Sequence, residues 1–227
     1  AATMFSCTND EDIAYEASAG SGKGNLTINI TTGEFATTRY TNINGTNVAT
    51  ENKLDDMVIA IFDNSTNVLK AIDYFSGMNA FSGSFSQKFE FEDVELAADD
   101  IVMIATNVHQ TNPSEPTLST TDFGSLTVGT STLTDFKAVG YQADYMITGS
   151  DANATIYNDR LPMVGNSTLA YHNGTDDSDG FTVTARVYHM TTKIKLDNLK
   201  VNFKGQQTFK LDELFLVNVP TTMTYNV

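Results

Sequence analysis

The apolar residues of this sequence fall either in the two-residue alternation of a half-buried β-strand or in short unbroken runs of strand length. Leu26, Ile28 and Ile30 alternate with Thr27, Asn29 and Thr31. Successive strand side chains point to opposite faces, so this alternation describes a strand with one buried and one wet face. Phe181, Val183, Ala185 and Val187 repeat the pattern, as do Ile194 with Leu196 and Val201 with Phe203. Elsewhere the runs are continuous: Met57-Val58-Ile59-Ala60-Ile61-Phe62, Ile101-Val102-Met103-Ile104-Ala105 and Leu214-Phe215-Leu216-Val217. Short apolar runs bounded by turn residues read as core strands. There is no strand–helix alternation of the α/β kind and no internal repeat, so an all-β fold is expected.

The residues between these runs divide the chain. Up to Gly24 it is acidic and then Gly/Ser-rich, a composition that buries nothing and reads as a tether. Thr32 to Asp55 is dominated by Thr, Asn and Gly around Arg39 and reads as a long exposed loop. Asp63-Asn64-Ser65-Thr66-Asn67 is a turn between Met57–Phe62 and Val68–Phe75, which together read as a core hairpin. Phe89 and Phe91 alternate with charged neighbours. From Asn112 to Gln142 the pattern weakens to loops and one short helix. Short strands are expected at Met146-Ile147 and Ile156-Tyr157, and an acidic loop at Asp176–Gly180.

Composition removes several classes of function. A net charge of −15 repels phosphate backbones and anionic lipid, so nucleic acid is not an expected partner. The single cysteine, Cys7, can form no internal disulfide and no thiolate metal cage. Gly22-Lys23 has Ala17 and Gly24 where a phosphate loop needs Gly and Ser or Thr. His109, His172 and His189 fall in no metal-binding spacing, and no nucleophile elbow occurs. The stretch from Thr175 matches a calcium loop at Asp177, Asp179 and Gly180 but places Arg186 at the closing ligand position. Without paired catalytic groups the chain is expected not to be an enzyme and to need no cofactor. Seven Asn-x-Ser/Thr sequons, at Asn25, Asn29, Asn44, Asn64, Asn153, Asn166 and Asn173, indicate exposed segments.

Three stretches carry a resemblance. The first is Met4-Phe5-Ser6-Cys7 followed by Thr8-Asn9-Asp10-Glu11-Asp12; the second is Leu26 to Ile30, then Arg39, then Glu51 to Phe62; the third is Val183 to Leu196. Together they resemble the type V pilins, the fimbrillin family of major fimbrial subunits from Bacteroidia. In that likeness the first is a lipobox end with its acidic sequel, with Met4 where leucine is usual. The second is a leader strand, an Arg processing loop and the first mature core strand. The third leads into a second domain, with His189 and Met190 where a basic residue is commoner.

The resemblance implies a transthyretin-like, Greek-key β-sandwich followed by the start of a second one. Residues 1–24 would be lipoprotein leader and tether, 25–39 leader strand and processing loop, 40–182 the first sandwich, and 183–227 the beginning of a truncated second domain. It implies a precursor with lipid on Cys7, an outer membrane lipoprotein, cut between Arg39 and Tyr40 by an Arg-specific protease. Leu26, Ile28 and Ile30 would be the core face of the leader strand. The mature subunit would join other pilin subunits, as homopolymer or with accessory subunits, in a fimbrium at the cell surface by donor-strand exchange. A role in adhesion to host or bacterial surface ligands would follow. The alternative from another class is a monomeric surface lipoprotein acting as an adhesin or glycan-binding protein, which needs no strand–Arg loop–strand arrangement.

Overall fold

The computed structural model describes residues 24–32, 53–81, 84–91, 94–148, 155–156, 161–172, 180–191, 210 and 220–227. The chain enters the fold through β1 (Gly24–Thr32), then the long strands β2 (Leu54–Phe62), β3 (Leu69–Phe81) and β4 (Ser84–Phe91), and β5 (Ile101–Thr106). An irregular layer follows, containing a 3-10 turn (Leu118–Thr120) and one short helix, α1 (Leu133–Ala138). The later strands are β6 (Gly140–Gln142), β7 (Ile147–Thr148), β8 (Thr155–Ile156), β9 (Met163–Thr168), β10 (Ala170–His172), β11 (Gly180–His189) and β12 (Thr222–Thr224). The protein is all-β.

The main sheet runs β3-β2-β5-β9-β11-β1-β4, with β10 also paired to β11. Of these pairings only β1 with β11 is parallel. Although β3 and β4 end that order, Phe75 of β3 lies 4.4 Å from Phe89 and 6.1 Å from Phe91 of β4, ring centre to ring centre. The sheet therefore curls until its ends meet. The first core fills the inside, with Leu26, Ile28 and Ile30 facing Met57, Ile59, Ile61, Val102 and Ile104 from the other half.

The continuous apolar runs have a physical cause: β2 and β5 are buried on both faces. Their odd residues in β2 join the first core, whereas Val58, Ala60, Phe62, Met103 and Ala105 join a second core beneath the irregular layer. There Phe123, Phe136 and Tyr225 stack against one another, with ring centres 4.7 Å apart for Phe123–Phe136 and for Phe123–Tyr225. Helix α1 contributes Phe136 and is held at its start by a capping box, in which the Thr132 amide donates to Asp135 at 2.7 Å and Asp135 N–H returns to Thr132 Oγ1 at 3.4 Å. The β2–β3 turn closes on Asp63. One carboxylate oxygen accepts from the amide and hydroxyl of Ser65 (3.0 and 2.7 Å) and of Thr66 (2.8 and 2.9 Å), and Asn67 takes a left-handed conformation, φ 59°.

Several expectations need correction. The expected domain boundary between residues 182 and 183 falls inside β11, whose Phe181, Val183, Ala185 and Val187 are all buried in the first core. Residues 183–189 are thus interior to the first body, and Tyr225 belongs to its second core. β1 looks isolated along the chain but is an inner strand of the sheet. The loop expected up to Asp55 ends earlier, because Leu54 is already a fully buried residue of β2. Strand β9 carries no recognisable pattern, since only Met163 and Val164 are apolar before Gly165-Asn166-Ser167-Thr168. Gly165 is required there: a Cβ would strike the carbonyl oxygen of Arg186. The runs at Ile194–Leu196, Val201–Phe203 and Leu214–Val217, the acidic loop at Asp176–Asp179 and the sequons at Asn44, Asn153 and Asn173 lie outside the described residues, while Asn64 and Asn166 are exposed and Asn29 half-buried.

Candidate functional site

The first candidate is β1 in its slot. Leu26, Ile28 and Ile30 are each 0% exposed. In register they stand beside Phe181, Val183 and Ala185 of β11 on one side and Phe89, Gln87 and Phe85 of β4 on the other. Burying three such side chains stabilises by about 5–9 kcal/mol, at roughly 1.5–3 kcal/mol each. Both backbone edges of β1 are also paired. One covalent segment, residues 33–52, joins the strand to the remainder of the described fold. A cut within it would leave β1 held by burial and pairing alone, and its departure would open an apolar groove with two unpaired edges. Arg39 and Tyr40 belong to that segment, and they and Cys7 lie outside the described residues.

The second candidate is a cleft of about 380 Å³ beside the second core, assembled from separate stretches of chain. Asp55, Asp56, Tyr74, Ser76 and Gly77 form one wall, Asn107 to Gln110 a second, and Tyr141 and Tyr145 a third, with Pro113 and Pro116 at the rim. A bulge shapes the first wall. The five steps from Ser76 to Phe81 along β3 face only two from Asp56 to Leu54 along β2, so three residues are extra. Gly77, at φ 74°, takes the left-handed turn this needs.

Asn107 ties the walls together. It sits at φ 54°, a conformation asparagine tolerates better than most residues, and is 4% exposed. Its side-chain amide donates to the carbonyls of Lys53 (2.8 Å) and Leu161 (2.9 Å), while its oxygen accepts from Asp55 N–H at 3.0 Å. Next to it, Val108 N–H donates to the Asp56 carboxylate at 2.9 Å. His109 stacks flat on Tyr145, ring centres 3.5 Å apart and 10° from parallel, and Tyr141 meets Tyr145 edge-on at 5.4 Å.

Burial raises the Asp122 carboxyl above its ordinary range against the pull of His109. Burial also raises the Tyr225 phenol, and Tyr141, Asp122 and Asp56 add to the shift. Among the described residues no cluster of three His, Cys, Asp or Glu could hold a metal ion. Sequence reading misses every residue of this cleft as a site, because its members come from stretches that carry no motif and meet only in the fold.

No protein-family model matches the chain, and no curated protein does. Solved structures with a similar fold are fimbrial and candidate cell adhesion proteins of Bacteroidia. One is a candidate cell adhesion protein from Bacteroides eggerthii, 17% identical with a TM-score of 0.44 over 74% of this chain and 40% of that one. Another is a fimbrial assembly protein from Parabacteroides distasonis, 15% identical with a TM-score of 0.41 over 72% and 51%. A third is a C-terminally truncated tip fimbrial protein from Porphyromonas gingivalis, 12% identical with a TM-score of 0.41 over 74% and 48%. The chain thus spans between 40% and 51% of the length of these structural neighbours.

Proposed function

We propose that this chain is a structural subunit of a bacterial surface fibre, exported as a lipoprotein acylated at Cys7, cut after Arg39 and assembled by strand exchange into the slot of β1. The observation that carries the reading is the slot itself. An inner strand whose Leu26, Ile28 and Ile30 are fully buried, paired on both edges, is joined to its own domain through one polar segment that contains an arginine. An exchangeable strand needs these properties: high stabilisation when present, one covalent link to sever, and an apolar groove that an extended segment of a neighbouring subunit fills by β-augmentation. Adhesion to host or bacterial surface ligands is the corresponding role of the fibre.

The test uses an Arg-specific protease and a labelled peptide with the sequence Gly24–Thr32. Digestion of the folded protein is expected to create a new N-terminus at Tyr40 by mass spectrometry. The cut protein should then take up the peptide, and the uncut protein should not. Ile28→Asp is expected to let the uncut protein bind it, because a carboxylate cannot stay charged at a fully buried position and expels the strand. First cleavage elsewhere, or peptide uptake indifferent to cutting and to Ile28→Asp, would refute the scheme. Acylation is checked separately: metabolic labelling with a fatty acid should be abolished in Cys7→Ser.

The cleft favours a second reading, a monomeric surface lipoprotein that binds a ligand as an adhesin. In that case β1 never leaves, and processing after Arg39 is without effect on binding.

A further inference from the structure

Residues 220–227 hold to the second core as a bound peptide would. Their strand β12 adds an edge to β6, with Thr222, Met223 and Thr224 opposite Gln142, Tyr141 and Gly140. Ala143 N–H donates to the Thr221 carbonyl at 2.8 Å, and Lys137 Nζ to the Val227 carbonyl at 2.9 Å. Within this segment only Tyr225 is buried, at 0% exposure; Met223 is half-buried and the others are exposed. Alternate residues of an extended chain share a face, so Met223 and Tyr225 turn toward the core together. Tyr225 enters a pocket between Phe123, Phe136 and Tyr141, whose ring centres lie 4.7, 6.5 and 6.5 Å from its own.

The pocket has supports besides its plug. Phe136 packs edge-on against Phe62 of β2, ring centres 5.9 Å apart, and against Phe123 at 4.7 Å. The capping box of α1 and the bond from Val139 N–H to the Phe136 carbonyl, 3.1 Å, hold the wall on which Phe136 stands. Among the described residues β12 is the one ladder partner of β6, so withdrawal of the segment leaves an apolar hole beside an unpaired strand edge. β-Augmentation uses this arrangement: main-chain bonds supply affinity, and a pocket for an alternate side chain supplies choice.

A second copy offers the same segment to the same pocket, so exchange between copies repeats contacts the fold already makes. Residues 220–227 contain no charged side chain, and the segment therefore brings no side-chain repulsion toward a body of net charge −15. We propose that residues 220–227 are an exchangeable clip, and that the pocket of Phe123, Phe136 and Tyr141 receives Tyr225 of a second copy while the donor's β12 pairs with β6. The contact is separate from strand exchange at β1, because these pocket residues all belong to the second core and none to the first.

The test uses the uncut whole chain, in which β1 keeps its slot, and a labelled peptide of residues 220–227. Light scattering of the unmutated chain is expected to show a dimer that grows with concentration. It should strengthen as salt is raised, because salt screens the repulsion between two bodies of like charge. Excess peptide of residues 220–227 should dissolve the dimer, whereas the Gly24–Thr32 peptide should not. The chain carrying Tyr225→Ala loses its own anchor, so it should stay monomeric and take up the labelled peptide saturably, with amide shifts at residues 139–143. A Tyr225→Ala peptide should bind this variant at least about a hundredfold more weakly, the scale of removing a buried aromatic side chain. A Tyr225→Phe peptide should bind at least as tightly, since the Tyr225 hydroxyl has no hydrogen-bond partner among the described residues. An unmutated chain that stays monomeric up to about 1 mM, the scale of the competing intramolecular contact, would overturn the proposal. So would a dimer indifferent to the clip peptide, one dissolved by the Gly24–Thr32 peptide instead, or equal binding of the Tyr225→Ala peptide. The dimer and its competition by peptide decide the matter on the unmutated chain even if the Tyr225→Ala chain fails to fold.

Discussion

Replacing Asn107 tests how the cleft walls are held. In Asn107→Ala three hydrogen bonds vanish at once, those to the Lys53 and Leu161 carbonyls and from Asp55 N–H, at 2.8, 2.9 and 3.0 Å. At about 1 kcal/mol net for each, the loss is about 3 kcal/mol. Alanine must also hold the left-handed backbone at φ 54°, which adds about 1 kcal/mol. Asn107→Gly removes the same bonds without the backbone penalty, and its extra unfolded-state entropy returns only part of that difference. The expected order is therefore Ala, about 4 kcal/mol, then Gly, about 3 kcal/mol. Urea unfolding followed by circular dichroism should show both as lowered midpoints with an unchanged slope. Hydrogen exchange should show faster opening at Asp55. An alanine variant costing under about 1 kcal/mol would refute the reasoning, since the three bonds would then contribute no net stability. A glycine variant less stable than the alanine one would refute the conformational part.

In β9, Gly165→Ala should destabilise by about 3 kcal/mol, because the new methyl meets the rigid Arg186 backbone rather than a side chain that can turn aside; thermal unfolding checks this, and a neutral result would mean that β9 and β11 can separate freely. Tyr225→Phe keeps the packing on Phe123 and removes a buried hydroxyl without a hydrogen-bond partner among the described residues, so it should be neutral or stabilise by about 1 kcal/mol, whereas Tyr225→Ala should cost about 3–5 kcal/mol. The carboxyls of Asp63 and Asp135 are lowered by hydrogen bonds, chiefly from the Ser65 hydroxyl and the Thr132 amide respectively, so the stability they contribute is present above the ordinary carboxylate range and is lost as pH falls through the lowered values. Asp122 is raised by burial, so its contribution has the opposite sign and improves as pH falls through its raised value. Melting profiles across acid pH should therefore be flatter for Asp63→Asn and steeper for Asp122→Asn than for the unmutated chain.

The period of the side chains is a local property of extended backbone, and it was legible residue by residue. The alternation at Leu26, Ile28 and Ile30, the turn on Asp63 and the hairpin around it all follow from neighbours a few positions apart. The unbroken run Met57–Phe62 announced a strand but not why both faces are apolar, which depends on Phe123, Phe136 and Tyr225 arriving from far along the chain. Pairing partners were likewise hidden. Nothing near Ile28 specifies that it stands between Val183 and Gln87, because register is set by which faces must be buried together once the sheet curls. β9 was missed because a close approach to Arg186 demands glycine where a strand pattern would place an apolar side chain. The cleft left no trace in the order of residues. Tyr74, Asn107 and Tyr141 acquire a joint role through a bulge, a left-handed asparagine and the closure of a loop, each a consequence of non-local contacts that no window of sequence contains.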